Sequence, residues 1–426
     1  MARAPGVGAG GPRGAIVVTG SELVRGDRSD RNGPFLARSL LSLGIEPAQI
    51  RVVGDAPPEL EAALRDGLAH DLLCVSGGLG PTHDDRTVEL LARAAGRGLR
   101  LDEELAAEIE RRSRAVAERL RRPYADFAAG VRKQATIPEG ALVVGLAGTA
   151  PALVLDADGR VAVVLPGPPR ELQELWPRTL ATPPLARLLE RASPPARRVL
   201  RFYGVGESSV AAALEAAGGD GGGVEATICA RDFEIHVDLL VAPGAEARAD
   251  ELERRLVAPI ERYLFGRTEA RVEELVLERC RALGLTLATA ESCTGGLVAA
   301  RLTSVPGSSD VFLGGVVSYA DRVKTAELEV PEELLRAHGA VSPEVAAAMA
   351  QGARRRLGAD VAVAATGVAG PGGGTPAKPV GLVHLHAAGP AGGSAAELSL
   401  PGDRETVRAR ATVAALHLVR SLLAAG

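Results

Sequence analysis

One stretch constrains this chain more than any other. Leu285-Thr286-Leu287-Ala288-Thr289 is short, apolar and rich in β-branched residues, so it reads as a buried strand. Leu297-Val298-Ala299-Ala300-Arg301-Leu302, a few residues on, has helical composition. Ala290-Glu291-Ser292-Cys293-Thr294-Gly295-Gly296 must therefore turn a strand into a helix. Its two glycines permit a tight bend and close approach of the backbone to a ligand. Ser292 then sits where a helix N-terminus supplies unpaired N–H groups and partial positive charge, which suits an oxyanion or a phosphate.

The same alternation opens the chain. Gly14–Gly20 reads as a buried strand ending in a glycine turn, followed by a helix over Pro34–Leu43 and a strand over Gln49–Val53. A helix over Pro58–Leu68 and a strand over Asp71–Val75 come next. This order predicts an α/β layer fold with a largely parallel sheet and ligands at the carboxyl ends of its strands. Two polar loops lie at such ends: Gly20-Ser21-Glu22-Leu23, and Ser76 to Asp85. In the second, Gly77, Gly78 and Gly80 can cradle a phosphate through backbone N–H groups, and Asp84 and Asp85 can hold a divalent metal. A plain glycine turn, with Asp84 capping a helix that begins near Arg86, accounts for the same residues.

A serine hydroxyl is a weak nucleophile until a base takes its proton. No histidine lies near Ser292, and the candidate base is Lys324 in Val317-Ser318-Tyr319-Ala320-Asp321-Arg322-Val323-Lys324. The chain strongly prefers arginine, and of the two only lysine can give up its proton when desolvated. The plainer reading makes Ser292 or Thr294 a helix cap and Lys324 a surface charge. Cys293 is a rival nucleophile with no histidine partner in sequence. Asp360–Ala365 is a further buried strand whose end places Thr366 and Gly367 to bond a substrate or an oxyanion. Arg404 opens the last helix, as a phosphate clamp or as the partner of a neighbouring acid.

Composition excludes several classes. With 49 basic and 53 acidic residues there is no electrostatic case for nucleic acid, and no apolar run is long enough to span a bilayer. Four cysteines without C-x-x-C pairing predict neither a disulfide framework nor a zinc site, and point to a reducing cytoplasm. Aromatics at 3% leave the cores to Ala, Val and Leu. The arginines of Asp102–Leu120 interleave with glutamates, as on the solvated face of an amphipathic helix. His236, on an alternating strand, reads as a surface residue.

Glu-Ser-Cys-Thr-Gly-Gly (291–296), Pro306-Gly307-Ser308-Ser309, Tyr319 with Lys324, His338-Gly339-Ala340-Val341-Ser342 and Ala365-Thr366-Gly367-Val368-Ala369-Gly370-Pro371 occur in this order. Together they resemble the C-terminal domain of the CinA family, the nicotinamide mononucleotide deamidases. The resemblance implies a metal-free Ser292–Lys324 pair, with Tyr319, that hydrolyses the nucleotide's carboxamide. Thr294, Gly295, Gly296, Thr366, Gly367 and Arg404 would hold the substrate, with N–H groups near Thr294 to Gly296 as oxyanion donors.

The N-terminal loops, Leu165-Pro166-Gly167-Pro168-Pro169 and Arg201-Phe202-Tyr203-Gly204-Val205-Gly206-Glu207-Ser208 extend the likeness. In this family the N-terminal domain shares the molybdopterin-binding fold of MoaB and MogA. Members can cleave ADP-ribose there with a divalent metal (magnesium, manganese or cobalt), and Glu22, Asp84 and Asp85 fall at matching acidic positions. This chain departs from the pattern at Arg31-Asn32, where the family has Thr-Asn, which puts those substrate contacts in doubt. The implied organisation is a tail at 1–13, a molybdopterin-binding-like domain at 14–180, a KH-like middle domain at 181–265 and the deamidase domain at 266–426. A cytoplasmic homodimer acting on nucleotides is the expectation. The alternatives are a chain whose main activity is the N-terminal pyrophosphatase, and a nucleotide binder without turnover.

Overall fold

The computed structural model describes residues 11–425. The chain divides into two compact units, one of Met1–Arg197, Gly219–Ala226 and Leu239–Glu253, the other of Arg198–Gly218, Thr227–Asp238 and Arg254–Gly426. Both are mixed α/β. Among the described residues no helix is long and apolar enough to cross a membrane.

The N-terminal sheet begins with β1 (Arg13–Thr19), β2 (Glu46–Val53) and β3 (Leu72–Ser76). A two-stranded ribbon, β4 (Leu99–Leu101) with β5 (Thr136–Pro138), precedes β6 (Leu142–Leu146), β7 (Pro151–Ala157) and β8 (Arg160–Leu165). The sheet runs β2-β1-β3-β8-β7-β6. β2, β1, β3 and β8 are parallel, whereas β7 and β6 are antiparallel additions. Residues of β1, β3 and β8 alternate between two apolar clusters, so both faces of the sheet are covered and the strands read as continuous apolar runs. The amphipathic helix Glu103–Leu120 is capped by Asp102, which accepts from Leu105 N, and its arginines pair with Glu108 and Glu110 on the solvated face.

Four strands follow: β9 (Ala196–Phe202), β10 (Val224–Arg231), β11 (Glu234–Val241) and β12 (Leu264–Gly266), in the order β10-β11-β9-β12. Glu234, at the start of β11, is buried and bonds His417 Nε2 at 2.8 Å and His236 Nε2 at 3.1 Å. His236 is therefore a half-buried partner of a carboxylate and not the surface residue that alternation suggests. Arg420 Nε donates to His417 Nδ1, so His417 is neutral with its proton on Nε2, donating to Glu234. Tyr203 stacks on the same imidazole with ring centroids 3.7 Å apart.

The C-terminal sheet is β13 (Leu287–Glu291), β14 (Phe312–Val317), β15 (Val361–Gly367), β16 (Leu382–Gly389) and β17 (Gly392–Ser399), in the order β14-β13-β15-β16-β17. β14, β13 and β15 are parallel, so their carboxyl ends lie together. The helix Asp321–Leu328 carries Lys324 and packs against Pro343–Leu357. That approach requires a glycine: a Cβ on Gly352 would stand 1.9 Å from Leu328 O. Gly352→Ala should therefore cost about 1–3 kcal/mol by overpacking, read as a fall in Tm. An unchanged Tm would show that the two helices separate freely.

The Glu234 cluster gives a pH prediction. Burial opposes ionisation of Glu234, but hydrogen bonds from His236 and His417 outweigh it and lower its pKa to about 2. Its contribution to stability is present above the ordinary carboxylate value of 4.5 and is lost as pH falls from there toward 2. Burial pushes His417 below its usual value against the pull of Glu234, so protonation of the unfolded chain already disfavours folding as pH drops below 6.5. Acid unfolding should thus begin near pH 6 and steepen below 4.5. Glu234→Gln should lower Tm at pH 7 and flatten the dependence below 4.5; an unaltered acid slope would remove Glu234 as its cause.

Candidate active site

Glu291, the last residue of β13, builds the turn. Its carboxylate is buried and accepts Gly296 N at 2.9 Å, Val298 N at 3.1 Å and Ala299 N at 2.9 Å. Three of the orphan donors of helix Leu297–Thr303 are thereby satisfied by one acid. Gly295 and Gly296 take left-handed backbone, φ 61° and 97°, which closes the turn in the space available. The sequence reading passed over Glu291. A buried acid directly before a glycine turn and a helix was the available signal.

Ser292 emerges one residue later, with its N–H on Ala365 O at 2.9 Å. It is 8% exposed, and its hydroxyl makes no hydrogen bond among the described residues. Cys293, its neighbour, is packed into the core, and burial pushes the thiol up to about 12. A thiol so held is a poor source of thiolate at neutral pH.

The amides of this loop are distributed differently from expectation. Gly295 N donates to Ser292 O at 3.1 Å and Gly296 N to Glu291, so neither is open to an oxyanion. The amides of Cys293 and Thr294 donate to no oxygen among the described residues. Arg408 fixes the direction of the second. Its Nε donates to Cys293 O at 3.2 Å, and a trans peptide points the Thr294 N–H opposite that carbonyl; its Nη2 donates to Thr294 O at 2.9 Å, in the peptide that carries the Gly295 N–H. The Thr294 side chain is fully buried, with no partner for Oγ1.

Lys324 is 1% exposed and no surface charge. Its Nζ donates to Ser318 O at 3.0 Å and contacts Tyr319 O and Asp321 Oδ1 at 3.4 Å. Tyr319 itself is exposed, and its OH accepts from Arg404 Nη2 at 2.7 Å. Arg404 Nη1 donates to Gly370 O at 2.7 Å. Its two bonded oxygens are neutral, so Arg404 is not the partner of a neighbouring acid.

Thr366 and Gly367 have other duties than binding substrate. Thr366 Oγ1 donates to Ala340 O at 2.7 Å, which ties down the 338–342 loop. A Cβ on Gly367 would meet Leu382 O at 2.6 Å, so glycine here serves close strand packing.

In the N-terminal unit Glu22 and Asp85 line different cavities. Glu22 lines a cavity of about 590 Å³ with Thr19, Arg28, Arg31 and Asn32, at the carboxyl ends of β1 and β3. Asp85 lines a second cavity, about 280 Å³, with Gly78, Gly80 and Glu171. Asp84 and Asp85 both lie against Thr82 Oγ1, and Thr82 N donates to Asp85 at 3.0 Å. Neither caps the helix Thr87–Ala94, which has no side-chain cap. Burial raises Glu171 above the usual carboxylate range. Among the described residues no group of three His, Cys, Asp or Glu is arranged to hold a metal ion.

Gly77 N donates to Leu165 O, and a Cβ on Gly78 would stand 2.1 Å from Thr87 Oγ1. Asn32 Nδ2 donates to Ser76 Oγ at 2.9 Å and Gly167 O at 2.7 Å, joining three loops beneath the larger cavity.

Residues 269–423 match the CinA C-terminal domain, and residues 15–187 match the probable molybdopterin binding domain. The CinA-like protein of Mycolicibacterium paratuberculosis is 43% identical, over 96% of this chain and 98% of its own. That of Mycolicibacterium gilvum is 45% identical, over 97% and 99%. Among solved structures, the competence/damage inducible protein CihA from Agrobacterium tumefaciens is 41% identical and covers 37% of this chain and 99% of its own, with a TM-score of 0.35. With both domains matched and such identity along nearly the whole chain, this protein belongs to the CinA family.

Proposed function

We propose that the C-terminal unit is a serine amidohydrolase that removes the carboxamide nitrogen of nicotinamide mononucleotide. The observation that carries this reading is Ser292 with an unengaged hydroxyl, on the same sheet end as a lysine buried to 1% exposure. Ser292 Oγ attacks the carboxamide carbon and its proton passes to Lys324. The amides of Cys293 and Thr294, which no protein oxygen engages, hold the oxyanion. Collapse breaks the C–N bond, and Lys324 returns the proton to the departing ammonia. Water then attacks the acyl-enzyme by the same route and releases nicotinate mononucleotide. Arg404, charged and bonded only to neutral oxygens at the rim, holds the substrate phosphate.

The metal-dependent ADP-ribose cleavage expected of the N-terminal half forms no part of this reading, because Glu22 lines a different cavity from Asp85 and no third acid joins Asp84 and Asp85 among the described residues. The larger N-terminal cavity carries Arg28 and Arg31 against Glu22 and Asp30, so its wall does not select a ligand by charge.

Ammonia release from nicotinamide mononucleotide by the purified chain tests the assignment. Ser292→Ala should lower kcat by about 10³-fold or more, and Lys324→Arg nearly as far. Cys293→Ala keeps its backbone amide and should be far milder. The reverse order would move the nucleophile to sulfur, and a wild-type chain that leaves the mononucleotide intact would overturn the substrate.

Arg404→Ala should raise KM for the mononucleotide by about 10-fold or more, as loss of a charge-assisted bond predicts. KM for nicotinamide riboside, which lacks the phosphate, should move little. Equal losses on both would make Arg404 a structural brace for Tyr319 and Gly370.

A further inference from the structure

Ser318 is fully buried, and its hydroxyl is among the few buried side-chain oxygens with no hydrogen-bond partner. An orphaned buried hydroxyl costs about 1–3 kcal/mol, so a residue kept in this state needs a reason. Its surroundings supply one. β13 and β14 pair in parallel with Glu291 opposite Val317, and Ser318 N donates to Glu291 O at 2.8 Å. Ser292 N on Ala365 O continues β13 in the same way on its other side. The ladder thus runs one residue past the strands, and Ser318 and Ser292 occupy neighbouring positions in it. Adjacent strands lie about 4.8 Å apart, and residues at matched positions point to the same face. The Lys324 amine is bonded to the main-chain oxygen of this same Ser318, at 3.0 Å.

We propose that the Ser318 hydroxyl relays the proton between Ser292 and Lys324. This deepens the serine–lysine reading given above and rests on it. As the nucleophile attacks, Ser292 Oγ–H donates to Ser318 Oγ while Ser318 Oγ–H donates to the lone pair of the Lys324 amine. One O–H bond breaks and one forms at Ser318, which ends unchanged, and the net transfer is one proton from Ser292 to Lys324. The reverse transfer delivers the proton to the leaving amine. A free amine retains two donors, enough for Ser318 O at 3.0 Å and one of the contacts at 3.4 Å. The orphaned hydroxyl is then a relay waiting for the serine to be engaged, and Lys324 need not touch Ser292 directly.

The test uses the full chain and two readouts. One is kcat and KM for nicotinamide mononucleotide. The other is the second-order rate at which a simple alkyl fluorophosphonate labels Ser292, followed by intact mass. There Ser292 Oγ displaces fluoride from phosphorus, which needs the same proton transfer but not the same substrate. Ser318→Ala should lower both kcat and the labelling rate by about 10²-fold, the usual scale for loss of general-base assistance, with KM nearly constant. Ser318→Thr, which keeps the hydroxyl, should recover both to within about fivefold. Labelling and kcat in Ser318→Ala within threefold of wild type would overturn the relay. So would a Ser318→Thr enzyme as slow as Ser318→Ala, because that outcome reports space and not a proton. If wild type labels at Ser292 but leaves the mononucleotide intact, the substrate assignment falls and labelling alone judges the relay. Failure of wild type to label at Ser292 overturns both.

Discussion

The buried carboxylate of Glu291 is the interaction on which the C-terminal unit depends. A strand and a helix cannot meet within five residues unless the helix's first N–H groups find acceptors, and water has little access here. Glu291 supplies both oxygens to Gly296, Val298 and Ala299 from the end of β13. The helix N-terminus in turn stabilises the buried charge, so the two elements depend on each other. One consequence reaches the chemistry. Because those amides are spent on Glu291, the helix N-terminus is closed to a ligand, and the amides that no protein oxygen engages lie earlier, at Cys293 and Thr294.

The last helix, Arg404–Ala425, completes the site from outside the sheet. Arg404 and Arg408 are four residues apart, hence on one face of the helix. The first reaches the rim through Tyr319 and Gly370, and the second grips the carbonyls of Cys293 and Thr294. Deeper in the same helix His417 binds Glu234 at the start of β11. A single helix therefore ties the 292–296 loop, Tyr319 with Gly370, and the buried acid of β11 together.

Much of this was legible along the chain. The strand–turn–helix at 285–302 stands as read, and so do the parallel α/β layers of both halves, because apolar runs bounded by glycine are a local property. Lys324 was legible for a different reason: a lysine in an arginine-rich chain is conspicuous. The antiparallel β6 and β7 and the hairpin of β16 with β17 were not read. They carry no motif of their own and exist by pairing with strands already in place.

The sequence by itself determined the elements and the chemical types at their ends: a serine on a turn, a lysine just beyond the next strand, acids and glycines in the N-terminal loops. Tertiary structure decided which of these groups are free to act. Gly295, Gly296 and Thr366 are spent on internal hydrogen bonds, whereas Ser318, which no motif marked as functional, keeps a buried, unpartnered hydroxyl in the strand next to Ser292. Glu22 and Asp85, on loops after neighbouring strands, line different cavities. The reason is physical. Secondary structure follows from periodicity over a few residues, but a polar group finds its partner by competition among groups brought together from distant parts of the chain, and only folding determines which are within reach.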